Sequence, residues 1–302
     1  MATGRMDEDG VRRRIERHPV EGSVEAMREG FAALADLPAD TDGLALERTI
    51  RHGLDTLTVA AGNGAPGPHT VHLHGGGYVF GSPDTHRRLA CVLARASGGT
   101  VHVPAYPLAP EHPWPAQRDA MLDWLGAWFD ATEGGGERLR LSGDSAGGHL
   151  ALSLALALPA RHRGRLDALV LFSPNALRDY ARSESREDKA ARDAMNDPAQ
   201  DDRLAALAFG GTRADDPEQN PLDRDLSALP PLWLDVGTDE ILLDDTLQLA
   251  RRAALAGVPL SLNVAGDAFH LRQLFAQHWP AADESLERAG RWIADRHAAS
   301  TG

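Results

Sequence analysis

Gly143-Asp144-Ser145-Ala146-Gly147-Gly148 stands between the apolar run Leu139-Arg140-Leu141 and the helix-forming run Leu150-Ala151-Leu152-Ser153-Leu154, so the chain reads there as a strand, a tight turn and a helix. A serine at such a turn has a strained backbone, and glycine is required on both sides because a nearby Cβ would clash. This nucleophile-elbow pattern constrains the fold more than any other feature, and it marks Ser145 as the leading nucleophile. Upstream, Thr70-Val71-His72-Leu73 reads as a strand running into His74-Gly75-Gly76-Gly77, a glycine loop suited to turning backbone N–H groups toward a developing oxyanion.

The rest of the chain supplies the sheet that such an elbow needs. Strands are expected at about Leu54 to Val59, Thr70 to Leu73, Thr100 to Val103, Leu139 to Leu141, Ala168 to Phe172, Leu232 to Val236 and Leu260 to Val264. Helices are expected between them, at Arg87 to Ala96, Gln117 to Phe129, His149 to Leu158, Asp245 to Ala256 and Ser285 to Arg296. Alternation of this kind predicts an α/β fold with a mostly parallel sheet covered on both faces. Residues 1 to about 50 carry apolar residues at helical spacing, as in Met27, Phe31 and Leu34, and read as a helical extension. Between Ser173 and Pro230 the rhythm gives way to a charge-rich stretch with helical pieces such as Leu204 to Phe209, too long for an ordinary connection and read as an insertion over the site. At 302 residues with 42% hydrophobic content, the chain suits one large domain carrying that insertion.

Charge narrows the partners. The formal net charge of −13 repels phosphate backbones and anionic lipid, so neither nucleic acid nor a membrane surface is expected as a partner. Met1 to Pro19 is dense in Arg, Asp and Glu with no apolar run, which predicts neither a signal peptide nor a transmembrane helix and makes the cytoplasm the expected compartment. Cys91 is the sole cysteine, so no internal disulfide can form, and its apolar helical neighbours predict a packing role.

In sheets of this type the reacting groups gather beyond the carboxyl ends of the strands, in the order Ser, acid, His. The strand Leu232 to Val236 ends at Gly237, and Asp239 lies in the loop beyond it; Asp239 is the expected acid, with its neighbour Glu240 ranked second. Asp244 and Asp245 fall where carboxylates cap the next helix, and Asp235, inside the strand, requires a buried partner. After Leu260 to Val264 the loop through Phe269 delivers His270, the expected general base, whose position sets it above His278 in a later, helix-like segment. His72 and His74 share a strand face, but no third metal ligand is signalled, and His74 is explained by a hydrogen bond that shapes the glycine loop. No metal is expected.

With these pieces placed, the chain resembles the hormone-sensitive-lipase-like branch of the α/β-hydrolases over nearly everything after about residue 50. The blocks that carry the resemblance are His74 to Tyr78, Tyr106-Pro107-Leu108-Ala109-Pro110-Glu111-His112-Pro113, Gly143 to Gly148, and Gly237-Thr238-Asp239-Glu240-Ile241-Leu242, in that order. The resemblance implies the α/β-hydrolase fold, a catalytic domain over 51–302, and a helical cap made by residues 1–50 and an insertion at about 175–227. It implies a triad of Ser145, Asp239 and His270, an oxyanion hole from the N–H groups of Gly76, Gly77 and Ala146, and loop-bracing roles for Glu111 and Asp144.

The implied activity is that of a serine hydrolase cleaving carboxylic esters of short to medium acyl chains through an acyl-enzyme on Ser145, with no organic cofactor. Relatives in this branch include enzymes acting on monoterpene lactones, and the segment from Asn220 to Asp245 is similar to theirs. Lactone opening and acyl transfer or cyclisation use the same triad and stand as alternatives; a non-catalytic ligand-binding protein is the more distant one, because all three triad positions are filled. Tyr78 and Phe209 are candidate substrate contacts, with Phe80, Trp114 and Phe269 as further pocket markers. Pairing of two copies through the last strand and helix is the family manner, so a homodimer is a further expectation.

Overall fold

In the computed structural model, which describes residues 4–62, 67–211, 213 and 215–301, the apolar runs become the strands β1 (Leu44–Arg51), β2 (Leu54–Ala61), β3 (His69–Leu73), β4 (Thr100–Pro104), β5 (Leu139–Asp144), β6 (Leu166–Phe172), β7 (Leu232–Gly237) and β8 (Leu260–Ala265). The helices are α1 (Glu8–Arg17), α2 (Val24–Ala35), α3 (Arg87–Ser97), α4 (Ala116–Ala131), α5 (Ala146–Ala157), α6 (Ala160–Arg163), α7 (Ser185–Asp188), α8 (Pro198–Phe209), α9 (Leu243–Leu255) and α10 (Pro280–Thr301). The sheet runs in the order β1-β2-β4-β3-β5-β6-β7-β8. β2 is antiparallel to both β1 and β4, whereas β3 with β4, β5 with β6, β6 with β7 and β7 with β8 are parallel. β5 and β6 are buried along their whole length, and burial on both faces accounts for the continuous apolar run Ala168 to Phe172 of β6.

The helical reading of residues 1–50 gives way at its end. The spacing of Met27, Phe31 and Leu34 belongs to α2, where all three are buried, but Leu44–Arg51 is a strand. Its hairpin to β2 turns on His52 (φ 49°) and Gly53 (φ 86°), the two positive-φ positions of a tight turn whose twist matches the flanking strands. The strand signal is muted because β1 is an edge strand with mostly exposed side chains, Ile50 among them.

Two compact units partition the chain: one comprises residues up to 72 with 80–105 and 272–302, the other 73–79 with 106–271. In the first, Phe31 packs on Phe80 with ring centroids 4.8 Å apart, and buried Arg88 donates to the carbonyls of Ala35, Leu37 and Leu274. α10 lies on α3 so closely that a Cβ on Gly290 would stand 2.3 Å from that of Ala96. Cys91, on α3, is fully buried. His278 lies before α10 rather than in a helix and bonds to the carbonyl of Pro38 at 2.8 Å, a structural contact.

The second unit holds β5 to β8, the helices on them, and the insertion after β6. Within the insertion Asp197 caps α8 by accepting from the Gln200 N–H, Pro198 begins the helix, and Gly210 at φ 80° ends it. The charge-rich composition resolves into a buried network. Asp201 receives Arg178 at 2.8 Å, Arg186 at 2.7 Å and the hydroxyl of Tyr180 at 2.7 Å. Asp245 does not cap its own helix as expected: it is fully buried on α9 and accepts the backbone N–H groups of Ala176 and Leu177, with Arg186 3.2 Å away. Asp244 likewise accepts from Ser185. Both carboxylates tether the insertion, because its irregular backbone has buried donors that need acceptors. Asp235 has the partner its position demands, the Asn263 side chain at 2.6 Å.

Candidate active site

Ser145 occupies the turn between β5 and α5 with φ 55° and ψ −121°, a conformation rare for a residue with a side chain. Its N–H donates to the carbonyl of Phe172 on β6, and its own carbonyl accepts from Asn175 and His149. The flanking glycines are sterically required. A Cβ on Gly143 would meet the Gly147 carbonyl at 2.3 Å, and one on Gly147 would meet the Leu73 carbonyl at 2.0 Å.

His270 follows β8 and is buried, with Nε2 2.9 Å from Ser145 Oγ. Its Nδ1 lies 2.9 Å from Oε2 of Glu240, not from Asp239. Asp239 turns away: its carboxylate faces Arg192 at 3.3 Å, and that arginine is 65% exposed. The one-residue difference arises in the turn after β7. The N–H of Asp239 is held by the Ala268 carbonyl, and Glu240 is fully buried, its Oε1 accepting from Gly237 N–H at 2.5 Å and Ser173 Oγ at 2.8 Å. Ser173, invisible to sequence reasoning, thus holds the Glu240 carboxylate. A carboxylate only accepts, so Nδ1 carries the ring proton, and Nε2 presents a lone pair to which the Ser145 hydroxyl donates. Burial pushes the imidazole down, but the hydrogen bond and charge of Glu240, followed by the charges of Asp193 and Asp144, outweigh it and raise its pKa above the ordinary value.

The glycine loop after β3 is held against the elbow by Asp144. Its Oδ2 accepts the Gly75 N–H at 3.1 Å, an approach that a Cβ on Gly75 would block at 2.2 Å. His74 Nδ1 lies 2.9 Å from the Gly75 carbonyl, its ring stacks on Tyr106 at 4.2 Å, and the Tyr106 hydroxyl donates to the His74 carbonyl. Gly76 and Gly77 sit at φ 118° and 58°, and Leu204 of α8 approaches so closely that a Cβ on Gly77 would lie 2.5 Å from it. Among the described residues, the N–H groups of Gly76, Gly77 and Ala146 donate to no acceptor. Glu111 lies on an exposed stretch of the loop between β4 and α4.

Tyr78 is buried at the centre of an aromatic cluster rather than lining open space. Its ring lies 5.7 Å from Phe209 and 5.5 Å from Trp114, and its hydroxyl reaches His149 Nδ1 at 2.5 Å. His149 Nε2 lies 2.9 Å from the Glu218 carbonyl, which can only accept, so Nδ1 is the acceptor and Tyr78 the donor. Burial, reinforced by Arg178, pushes the His149 imidazole down to about 3 and keeps it neutral. Phe209, half-buried at the end of α8, completes this wall.

Comparison with known proteins matches this architecture. A family profile described as alpha/beta hydrolase fold covers residues 70–274. An acetyl-hydrolase of Streptomyces hygroscopicus is 34% identical over 226 residues, 74% of each chain, and an esterase of Acinetobacter venetianus is 35% identical over 224 residues, 71% of each. The crystal structure of an esterase from the bacterial hormone-sensitive lipase family superposes with a TM-score of 0.87 at 33% identity, over 95% of this chain and 97% of that one.

Proposed function

The chain belongs to the α/β-hydrolases, in their hormone-sensitive-lipase-like branch, and from that premise we propose that it cleaves carboxylic esters of short to medium acyl chains through an acyl-enzyme on Ser145, with His270 as general base and Glu240 as the acid. The observation that carries the assignment is the unbroken chain Glu240–His270–Ser145, with both hydrogen bonds at 2.9 Å. His270 Nε2 takes the proton as Ser145 Oγ attacks the ester carbonyl, and returns it to the departing alcohol. Glu240 holds the tautomer and stabilises the imidazolium. The N–H groups of Gly76, Gly77 and Ala146, which have no acceptor among the described residues, receive the oxyanion; each such donor is worth about 2.7–4 kcal/mol. A second proton transfer through His270 lets water release the acid. The acetyl-hydrolase among the relatives supports a short acyl group.

Turnover of a chain-length series of p-nitrophenyl esters, lost in Ser145→Ala and His270→Ala with folding verified by circular dichroism, is the expected result. A folded wild type inert on every chain length would refute ester preference and direct the search to lactones. A second copy is the partner assigned to the edge strand β8, where Leu262 and Val264 are 38% and 43% exposed. Light scattering reads this directly: a dimer is expected, and a wild-type monomer refutes it.

A further inference from the structure

Asp193 lies in the insertion between α7 and α8, only 9% exposed. Its Oδ1 accepts the backbone N–H of His270 at 3.2 Å and that of Met195 in its own turn at 3.1 Å. Its Oδ2 accepts the backbone N–H of Ile241 at 3.0 Å. Ile241 directly follows Glu240. One side chain from the insertion therefore binds the backbone of the base and of the residue beside the acid, two loops that the sequence separates by 30 residues.

We propose that Asp193 is a positioning residue for ester cleavage, locking the His270 and Glu240 loops in register through their backbones and, as a second carboxylate beside the imidazole, holding the charge that His270 acquires when it takes the Ser145 proton. The inference rests on the serine-hydrolase reading. Both loop N–H groups are buried, so losing their acceptor leaves two unsatisfied donors at the base and the acid. The charged groups facing His270 are Glu240 from the loop after β7, Asp193 from the insertion and Asp144 from the end of β5, and all three raise its proton affinity. Arg192, the chain neighbour of Asp193, turns to Asp239 instead. Burial pushes the Asp193 carboxyl up to about 6, with His270 pulling it down and Glu240 pushing it up, and the three backbone N–H groups that it accepts favour its ionised form.

The test compares wild type, Asp193→Asn and Asp193→Glu on p-nitrophenyl acetate across pH, beside an NMR titration of the labelled His270 imidazole and thermal melts. Asn is expected to lower kcat by about tenfold to a hundredfold with KM little changed. It should also move the acid limb and the His270 titration down by about one pH unit. Glu, which keeps the charge, should lose kcat while leaving the limb in place. An unchanged kcat in Asp193→Asn, or a loss of kcat with the titration of His270 unmoved, overturns the proposal. Should Asn fail to fold, wild type decides: His270 titrating below the ordinary 6.5 overturns it. An inert wild type whose His270 still titrates high refutes the ester reading itself, a result separable from failure of the Asp193 contact.

Discussion

Replacing Glu240 by Gln keeps the size of the side chain and changes what it can donate. The Oε1 position receives two donors, the Gly237 N–H at 2.5 Å and the Ser173 hydroxyl at 2.8 Å, so the amide oxygen of Gln stays there and its NH2 group faces His270 Nδ1. Nδ1 must then be the acceptor, which sends the ring proton to Nε2, the atom 2.9 Å from Ser145 Oγ that has to accept the serine proton. A wrong-tautomer triad of this kind costs about 10⁴ in kcat, or about 5.5 kcal/mol at 1.36 kcal/mol per factor of ten. Asp239→Asn removes only a 3.3 Å contact to an arginine that is 65% exposed, worth at most about 1 kcal/mol, and its kcat should stay within about fivefold of wild type. Steady-state release of p-nitrophenol from the acetate ester, with melting curves to show that both variants fold, reads the contrast. Asp239→Asn losing orders of magnitude while Glu240→Gln stays within tenfold of wild type would mean that Asp239, not Glu240, holds the His270 tautomer.

Gly147→Ala forces a Cβ to within 2.0 Å of the Leu73 carbonyl and 2.6 Å of the His74 carbonyl, so urea unfolding should show a loss of at least about 1–3 kcal/mol, accompanied by a fall in kcat as the elbow and glycine loop separate. Asp201→Asn withdraws the charge that Arg178 and Arg186 share in the buried insertion and should destabilise the protein by about 3–5 kcal/mol in the same assay; a change under about 1 kcal/mol would mean the network is not closed. Because His270 must be neutral to act and its proton affinity is raised by Glu240, Asp193 and Asp144 against the effect of burial, kcat/KM should fall as pH drops through a value above 6.5 and not below it, as a pH–rate profile will show.

Reading along the chain succeeds where the physical constraint is local. Gly143 is demanded by the Gly147 carbonyl four residues on, inside one strand-turn-helix unit, so the elbow around Ser145 is legible, although Gly147 itself faces the distant Leu73 carbonyl. The order of strands and helices and the loop that carries His270 follow from periodicity in the same way. Hairpin strand β1 escapes because an edge strand with exposed side chains lacks the apolar alternation that betrays a buried one. The choice between two adjacent carboxylates is of another kind. Asp239 and Glu240 differ by one position and one methylene, and what separates them is a carbonyl at Ala268 holding one backbone N–H and a hydroxyl at Ser173 waiting for the other side chain, both remote in sequence. Asp193 is the same case: an unremarkable acid in a charge-rich stretch until the fold brings it against the N–H groups of His270 and Ile241. Local sterics wrote the elbow and the sheet into the sequence; hydrogen bonds between distant segments, satisfied only once those segments are buried together, decided which carboxylates serve the histidine.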